Sequence, residues 1–379
     1  MSYDAIQLKP LTIYPRHKDF REPMRFLQSL YERPDYQLEN RGAIVVQVPR
    51  RFIHPEPPEV DQTASLSWVV EQHLRPDREA GMWLYSDIDK QVNKYTVASY
   101  LSKIGDLDRR CDVENFFADR ESSRDVVLDA CYMEGHIFTD DEPTLKDVPE
   151  WNFSNVNDLM EEAGWGQRTR GFFISNAGSV TALSCSDTNL GLLYYMHWGA
   201  PKIWTVVPPK YFRTLRNCFY QLSPKCFNEC PAMHFFSGYM EASFLERHRI
   251  PFVQFEQHPG QMVVVSYQSH FESLNTGVHI GESCNYAEVN WLRYAMHQVR
   301  CKKNCQPIDN GEEMREYGFT KYLPGVNAAT LPDPTENGKW YCARDYLPRD
   351  LRGMRYEQNE HAFLGLPEDD EDLSQGSQN

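Results

Sequence analysis

Long apolar runs are missing from this 379-residue chain. The longest stretches, such as Leu190 to Trp198, fall well short of the roughly 20 residues that a membrane-spanning helix needs. The first residues do not place a basic segment before an apolar one, so no secretory signal is expected. These two absences lead us to expect a soluble, intracellular protein.

Cysteine is also scarce. The ten cysteines of the chain are spread over its length rather than packed into a small scaffold. A disulfide framework of the kind that stabilises small secreted domains is therefore not expected. Clustered cysteines are more plausible as metal ligands, and the positions of interest are Cys226, Cys230, Cys301 and Cys305.

Positive charge is in the minority. The 39 lysines and arginines are outnumbered by 54 aspartates and glutamates, which gives a formal charge of −15. This balance argues against DNA binding through bulk charge, because phosphate contacts need a cationic surface. Local basic pairs remain at Arg50-Arg51 and Lys302-Lys303.

The chain does contain enough apolar sequence for a globular fold, with 41% hydrophobic and 13% aromatic residues. Near the N-terminus, an amphipathic pattern predicts a helix with one apolar face, formed by Met24, Leu27, Leu30 and Tyr31. A turn and a strand over residues 43–48 follow. Residues 53–137 are mixed and charged, and short helices are expected there.

From about residue 138 the pattern of short strands dominates. Strands are predicted at 171–175, 180–185, 191–198, 202–207, 252–257, 261–267 and 285–292. A helix is predicted at 154–164, and another begins at Pro208-Pro209. Many short strands with glycine and proline turns predict a mainly β fold, a jelly roll of the cupin kind.

The segment from Leu193 to Trp204 (LYYMHWGAPKIW) resembles the JmjC domain, in which a strand ends in His-aromatic-Gly-x-Pro-Lys before a tryptophan. Further similar segments lie at Val148–Asn152, Val206–Pro209 and Arg249–Phe252. The N-terminal unit is similar to JmjN, the module that accompanies JmjC in one branch of the histone lysine demethylases. The resemblance implies a JmjC double-stranded β-helix with an N-terminal JmjN unit and helical inserts.

This resemblance also divides the chain into segments. They are a JmjN-like unit at 8–52, a mixed helical linker at 53–137, a JmjC domain at 138–307, a C-terminal extension at 308–366 and a disordered acidic tail at 367–379. The tail is assigned on its polar and acidic composition.

The family's chemistry is the Fe(II)- and 2-oxoglutarate-dependent hydroxylation of an N-methyl group, which then leaves as formaldehyde. A His-x-Asp/Glu pair on one strand and a distal histidine bind the iron and leave three positions open. Counted back from His197 without a gap, the pair falls on Ser184 and Ser186, two neutral alcohols that bind ferrous iron poorly. The distal position is assigned to His270, with His279 as a competing assignment.

A shift of one residue offers an alternative ligand pair. Cys185 and Asp187 would then supply a thiolate and a carboxylate at i and i+2, which project from the same face of a strand. This register requires a break in the ungapped similarity that runs through to Lys202.

The resemblance also implies a pocket for 2-oxoglutarate. Lys202 occupies the position of the lysine that pairs with a carboxylate of this co-substrate, and Tyr132 matches the carboxylate-binding tyrosine. Tyr194 stands where relatives of the JmjN branch carry a small asparagine, so its ring is expected to fill part of the pocket. The alternative for Lys202 is an ordinary surface lysine at a strand end.

A second constellation resembles the structural zinc site of the JmjN-branch demethylases. There, a cysteine and a histidine from an insert meet two cysteines after the core in a closed tetrahedral site. The corresponding residues are Cys230, His234, Cys301 and Cys305. Cys226 is a rival ligand, and free thiols in unrelated loops are the alternative.

Together these features predict a catalytically inactive Jumonji protein, a pseudo-demethylase that acts in the nucleus as a chromatin-associated binding or scaffolding factor. Its expected partners are a histone tail or other subunits of a chromatin complex. Iron and 2-oxoglutarate are not expected to bind. Two alternatives remain: an active histone lysine demethylase with an unusual metal site, and a non-catalytic sensor of 2-oxoglutarate or a similar diacid.

Zinc is expected in the protein as purified, bound by the four ligands of the second constellation. Because the free energy of metal binding can become folding free energy, Cys301→Ser is expected to lower thermal stability. Elemental analysis checks the metal, and a content below about half an equivalent would count against the site. A Cys301→Ser variant with unchanged stability would contradict this ligand assignment.

Overall fold

Two β-sheets form the framework of the part of the chain that the computed structural model describes. That part comprises residues 6–56, 59–77, 82–92, 94–118, 127–132, 137–139, 144–153, 156, 171–186, 189–212, 214–215, 218, 238–291 and 294. Nearly all of these residues belong to one compact unit, formed by 1–211 and 233–295. The second unit, formed by 212–232 and 296–379, is described only at Phe212, Thr214, Leu215 and Cys218.

The strands are short, as the turn-rich sequence predicts. In chain order they are β1 (Gln7–Leu8), β2 (Thr12–Ile13), β3 (Ala43–Gln47), β4 (Trp68–Asp77), β5 (Met82–Val92), β6 (Val127–Tyr132), β7 (Gly171–Ser175), β8 (Val180–Ser184), β9 (Gly191–Gly199), β10 (Lys202–Val207), β11 (Gly238–Tyr239), β12 (Phe252–Gln257), β13 (Gln261–Val265), β14 (His270–Asn275) and β15 (His279–Tyr286).

The described helices are α1 (Pro23–Glu32), α2 (Leu38–Arg41), α3 (Val97–Ile104) and α4 (Ala242–Arg247). Tight 3-10 turns lie at Arg50–Phe52, Pro149–Trp151, Pro209–Tyr211 and Val289–Trp291. Within the described residues, we find no helix with the length and apolar character that crossing a membrane requires.

The small sheet has five strands in the order β1-β12-β10-β14-β8, and the large sheet has ten in the order β11-β5-β4-β6-β7-β15-β9-β13-β3-β2. The centres of the two sheets are antiparallel: β12-β10-β14-β8 in one and β7-β15-β9-β13 in the other. These eight strands are the two halves of a jelly roll, which confirms the mainly β, cupin-like fold.

Apolar side chains from both sheets fill the space between them, and we call this layer the barrel interior. Its buried members are Ala43, Val45, Tyr194, Trp204, Val206, Val253, Phe255, Val263 and Val265. Other apolar clusters cover the outer faces, with Ile174 and Ile280 among the outer residues of the large sheet and Val180 and Leu274 on the small sheet. Alternate residues of a strand therefore serve different layers.

Residues 53–137 differ from their prediction. Short helices are expected there, and α3 and the helical residues 116–118 are described, but the region also contributes the strands β4, β5 and β6 to the large sheet. β-branched residues such as Val69 and Val70 favour the strands, and their pairing partners come from distant parts of the chain. Charged residues along these strands hide the alternation in the sequence.

Strands β14 and β15 also differ from the sequence prediction. β14 was not predicted, and β15 begins at His279 rather than near residue 285 and ends before a 3-10 turn. Both strands bury polar side chains, including Glu272, Ser273, Asn275 and Glu282. A strand that buries polar residues does not show the apolar alternation by which strands are recognised.

The N-terminal unit is attached to the barrel through aromatic contacts. α1 buries Pro23, Phe26, Leu27 and Leu30, so Phe26 rather than Met24 belongs to its buried face. Phe20, which precedes α1, stacks on Trp151 with ring centroids 4.5 Å apart. The indole N–H of Trp151 donates to the backbone carbonyl of Phe20. One side chain thus provides both packing and a hydrogen bond at this junction.

Trp151→Phe is expected to destabilise the fold by about 1–3 kcal/mol, because it leaves the buried carbonyl of Phe20 without its donor. Denaturant unfolding measures the change. Trp198→Phe is the matched control, since Trp198 is 40% exposed, and a shift within about 0.5 kcal/mol is expected there. Equal effects of the two substitutions would contradict this role of Trp151.

Candidate functional site

The register between β10 and β14 determines which side chains enter the barrel. Opposite residues of an antiparallel pair project from the same face. Trp204 and Val206 belong to the barrel interior, so their partners on β14 face it as well. The pairs are Lys202 with Asn275, Trp204 with Ser273 and Val206 with Phe271.

The third strand of this face, β8, adds Ser184. Its partner on β14 is Phe271, and a bulge in β8 lies between this pair and the next. The ring of Phe271 lies against Trp204, with centroids 6.0 Å apart. Ser184 and Phe271 therefore lie side by side on the interior face.

Ser184 pairs with Phe271 rather than with His270, and the assignment of His270 as the distal ligand position stays a prediction. His270 precedes Phe271 on the same strand and pairs with Val207, whereas Phe271 pairs with Val206. Neighbouring residues of a strand point to opposite faces, so the imidazole of His270 is directed away from the barrel interior. The pairing of Phe271 with Ser184 is missed by sequence reasoning, because β14 is not recognised and its register cannot be counted.

Of the alternative ligand pair, Cys185 with Asp187, only Cys185 lies within the described residues. Cys185 is buried and its thiol lies 3.8 Å from the side-chain oxygen of Asn189. The amide of Asn189 in turn donates to the carbonyl of Tyr294 at 3.0 Å. Asp187 lies outside the described residues, and Ser186 is the last described residue before it.

The donor set does not fit a ferrous ion. The two positions to which the resemblance assigns a histidine and a carboxylate carry Ser184 and Ser186. The residue that pairs with Ser184 across the strands is Phe271. A phenyl ring has no lone pair to donate, and two neutral hydroxyls supply neither an imidazole nor a balancing charge. Over the described ranges, no three histidine, cysteine, aspartate or glutamate side chains are placed to hold a metal ion together.

Tyr194 occupies part of the barrel interior. Its hydroxyl is hydrogen bonded to Nε2 of His279 at 3.0 Å, and its ring lies edge-on to Trp204 at 5.3 Å. Gly281 lies beneath the ring, and a Cβ at this position would come within 2.1 Å of the tyrosine hydroxyl. The glycine therefore makes room for the phenol.

His279, the competing assignment for the distal ligand, lies on the large sheet rather than beside Ser184. Its Cα partners are Gly199 and Ser175. Burial, together with the nearby charge of Lys202, lowers the pKa of His279 to about 3. The ring is therefore neutral at physiological pH and is held by Tyr194.

Lys202 is buried and only 4% exposed, so the alternative of a surface lysine is wrong. Its ammonium lies 4.6 Å from the ring centroid of Tyr194 and 5.0 Å from that of Trp204, a cation–π arrangement. Burial lowers the pKa of Lys202 to about 8, and the carboxylate of Asp129 opposes this change. No ion pair joins Lys202 to any described residue.

Polar side chains continue from Lys202 across the small sheet. Asn275, its partner on β14, donates to the hydroxyl of Ser179 at 2.7 Å. That hydroxyl lies 3.1 Å from Oδ1 of Asp129. The hydrogen bonds thus connect Asp129 with Asn275, the strand partner of Lys202. The carboxylate of Asp129 acts on the pKa of Lys202 through its charge.

Several predicted site residues lie beyond what the structure describes. The expected zinc ligands Cys230, His234, Cys301 and Cys305 and the rival Cys226 are all outside the described residues. Tyr132 is the last residue of β6 and pairs with Phe172, but its side chain is outside the described part. The zinc site and the role of Tyr132 stay predictions.

The two sheets and the buried Lys202 between them are those of a cupin-class barrel. Comparison with known families identifies which kind of cupin barrel this is. Residues 172–286 match the family described as JmjC domain, hydroxylase. This part of the chain is a JmjC domain, homologous to those of the Jumonji lysine demethylases.

Three relatives illustrate the homology. Identity is 24% over 163 residues with lysine-specific demethylase 4B of Mus musculus, covering 41% of this chain and 15% of that protein. It is 32% over 107 residues with lysine-specific demethylase JMJ703 of Oryza sativa subsp. japonica, covering 28% and 9%. It is 31% over 121 residues with putative lysine-specific demethylase JMJ16 of Arabidopsis thaliana, covering 32% and 10%. The chain thus spans a small share of each relative.

Lys202→Met is expected to stabilise the protein near neutral pH, by roughly 1–3 kcal/mol, because it removes the cost of a buried charge. The pKa of Lys202 is 10.5 when unfolded and about 8 when folded, so the unfolded chain binds more protons between these values. The stability of the wild type therefore rises with pH through this window, and the advantage of the variant shrinks.

The free energies of unfolding of the wild type and of Lys202→Met are measured by urea denaturation across this pH range. Lys103→Met, at an exposed position of α3, is the control and is expected to show no such pH-dependent difference. A difference in unfolding free energy between Lys202→Met and the wild type that stays constant over this pH range would contradict the burial of the charge.

Proposed function

We propose that this chain is a non-catalytic JmjC protein, a pseudo-demethylase whose barrel serves as a chromatin-associated binding or scaffolding factor. One observation carries the proposal: Phe271 lies opposite Ser184 on the inner face, and the resemblance assigns Ser184 to an iron-ligand position. Neither residue supplies the imidazole or carboxylate that ferrous iron requires.

The loss is large in energetic terms. Removing only the hydrogen-bond partners of metal ligands typically costs about 10–100-fold in metal affinity or activity. Here both positions of the expected ligand pair are serines, and the ring of Phe271 is packed against Trp204. Tyr194 further reduces the room for a co-substrate, because its hydroxyl is held by His279.

The proposed setting follows from the relatives. Those compared are named as lysine-specific demethylases, which act on modified lysines. The similarity of residues 8–52 to JmjN adds to this likeness. We therefore propose a nuclear location and a histone tail or another subunit of a chromatin complex as partner. The charge of −15 suits a basic partner of this kind.

A second candidate is a sensor of 2-oxoglutarate or a similar diacid, and Lys202 favours it. A buried ammonium without an ion pair among the described residues is costly unless an anion reaches it. A carboxylate of a small ligand could provide that charge. Against this reading, the rings of Tyr194 and Trp204 already lie within 5.0 Å of the ammonium.

The purified protein is expected to release no formaldehyde from methylated histone peptides in the presence of Fe(II), 2-oxoglutarate and ascorbate. The reason is the donor set of Ser184, Ser186 and Phe271. A demethylase related to this chain serves as the positive control. Formaldehyde release that Lys202→Met abolishes would overturn the proposal.

The ligand positions can be tested separately from turnover. The triple variant Ser184→His, Ser186→Glu and Phe271→His is expected to bind Fe(II), because it restores a facial triad. The double variant that keeps Phe271 is the matched control and is expected to bind more weakly, although His270 is present in both. The iron affinity of both variants is measured by titration. Equal affinities would indicate that His270, and not residue 271, supplies the third ligand.

Calorimetry with 2-oxoglutarate distinguishes the two candidate functions. If Tyr194 blocks the pocket, Tyr194→Asn is expected to strengthen binding by roughly 5- to 150-fold, which corresponds to the relief of about 1–3 kcal/mol of overpacking. Lys202→Met in the same background is expected to abolish the gain. Tight binding to the wild type would favour the diacid sensor instead.

A further inference from the structure

A short segment near the N-terminus, residues 6–13, belongs to both sheets, and we call it the strap. Its first strand, β1, lies parallel to β12 at the edge of the small sheet. Its second strand, β2, lies parallel to β3 at the edge of the large sheet. Three residues, 9–11, separate the two strands, so these sheet edges are no more than roughly 14 Å apart. The strap therefore closes one side of the barrel.

Two side chains of the strap lie on the side of the barrel interior. Leu8 pairs with Val253, and Thr12 pairs with Val45. Paired residues of neighbouring strands project from the same face, and Val253 and Val45 both belong to the barrel interior. Leu8 packs against this apolar layer. Its side chain thus covers the barrel interior at the side where the two sheet edges meet.

The barrel interior lies close to solvent at the strap. Val253 is 1% exposed and Val45 is 3% exposed, whereas Leu8 is only partly buried and Thr12 is exposed. The inner strands β10 and β9, by contrast, have a paired strand on each side. On the side of the strap, a single edge strand with incompletely buried side chains therefore separates the apolar layer from water.

The attachment of the strap is short. β1 and β2 have two residues each, and Pro10 between them has no N–H to donate. Carbonyl groups of the strap also accept hydrogen bonds from the rest of the protein, those of Ile6, Lys9 and Leu11. The bond to Lys9 comes from the guanidinium of Arg41, is 3.4 Å long and is exposed. Segments with few buried contacts and exposed hydrogen bonds open locally at a lower free energy than the core.

The cationic part of the barrel interior lies behind this closure. Tyr194 and Trp204 belong to the same apolar layer as Val253 and Val45. The ammonium of Lys202 lies 4.6 Å from the ring centroid of Tyr194 and 5.0 Å from that of Trp204. Release of the strap therefore uncovers the layer on which the ammonium lies, without separating β10 from its neighbours in the small sheet.

We propose that the strap is a removable closure of the barrel, and that small solutes reach Lys202 when residues 6–13 leave the edges of β12 and β3. In the closed state the interior is sealed, and in the open state a small anion has a path to the buried ammonium. The strap thereby regulates whether the interior can be occupied. The proposal goes beyond the function of the barrel and does not depend on it.

Reductive methylation of Lys202 measures access to the interior. The full chain is treated with formaldehyde and cyanoborohydride, which are small and modify neutral amines, and the modification of each lysine is followed by peptide mass spectrometry. The pKa of about 8 leaves a share of Lys202 neutral near this pH. Lys103, exposed on α3, is the internal reference for the reagents. Slower modification of Lys202 than of Lys103 is expected in the wild type, and equal rates would contradict a closed barrel.

A disulfide between the strap and β12 tests whether the strap is the route. Leu8→Cys and Val253→Cys are combined, because the Cα atoms of residues paired in neighbouring strands lie at a separation that a disulfide can bridge. Mass spectrometry verifies the bond. Modification of Lys202 is expected to be at least about ten-fold slower in the oxidised protein than after reduction, because the locked strap cannot open locally. The same rate in both forms would overturn the proposal.

Weakening the strap has the opposite effect and needs no cross-link. Leu8→Ala is expected to raise the rate of modification at Lys202 about ten-fold, the equivalent of about 1.4 kcal/mol of lost packing. Trp151→Phe is the control for general destabilisation, because Trp151 packs on Phe20 away from the strap, and a nearly unchanged rate is expected. Denaturant unfolding verifies that both variants are folded. No increase in Leu8→Ala, or an equal increase in the two variants, would exclude local opening at the strap.

Discussion

The antiparallel register that joins β10, β14 and β8 is the constraint on which the rest of the site depends. In a strand, a shift of one residue exchanges every side chain between the two faces. The observed register places Ser184 beside Phe271 and directs His270 the other way. The chemistry available inside the barrel is therefore decided by pairing between strands and not by the presence of a histidine in the right stretch of sequence.

With that register, the barrel interior becomes an aromatic layer around one cation. Tyr194, Trp204 and Phe271 pack together, and Lys202 lies over two of these rings. Gly281 has no side chain to compete with the phenol. The interior around Lys202 is therefore filled by packed aromatic rings.

The two faces of the large sheet have different properties. The inner face supplies Tyr194 and His279 to a closed, hydrogen-bonded interior. The outer face carries the buried His197–Glu282 pair beside an apolar pocket lined by Ile174 and Ile280.

The sequence by itself determined the class of protein: the segment LYYMHWGAPKIW identified the JmjC barrel, and apolar alternation predicted β9 and β10. Apolar alternation was sufficient there. Only the tertiary structure decided the face of Phe271, the burial of Lys202 and the addition of β4 to β6 to the large sheet. Each of these depends on pairing between distant segments, and β14 and β15 bury polar residues that conceal the strand pattern from local reading.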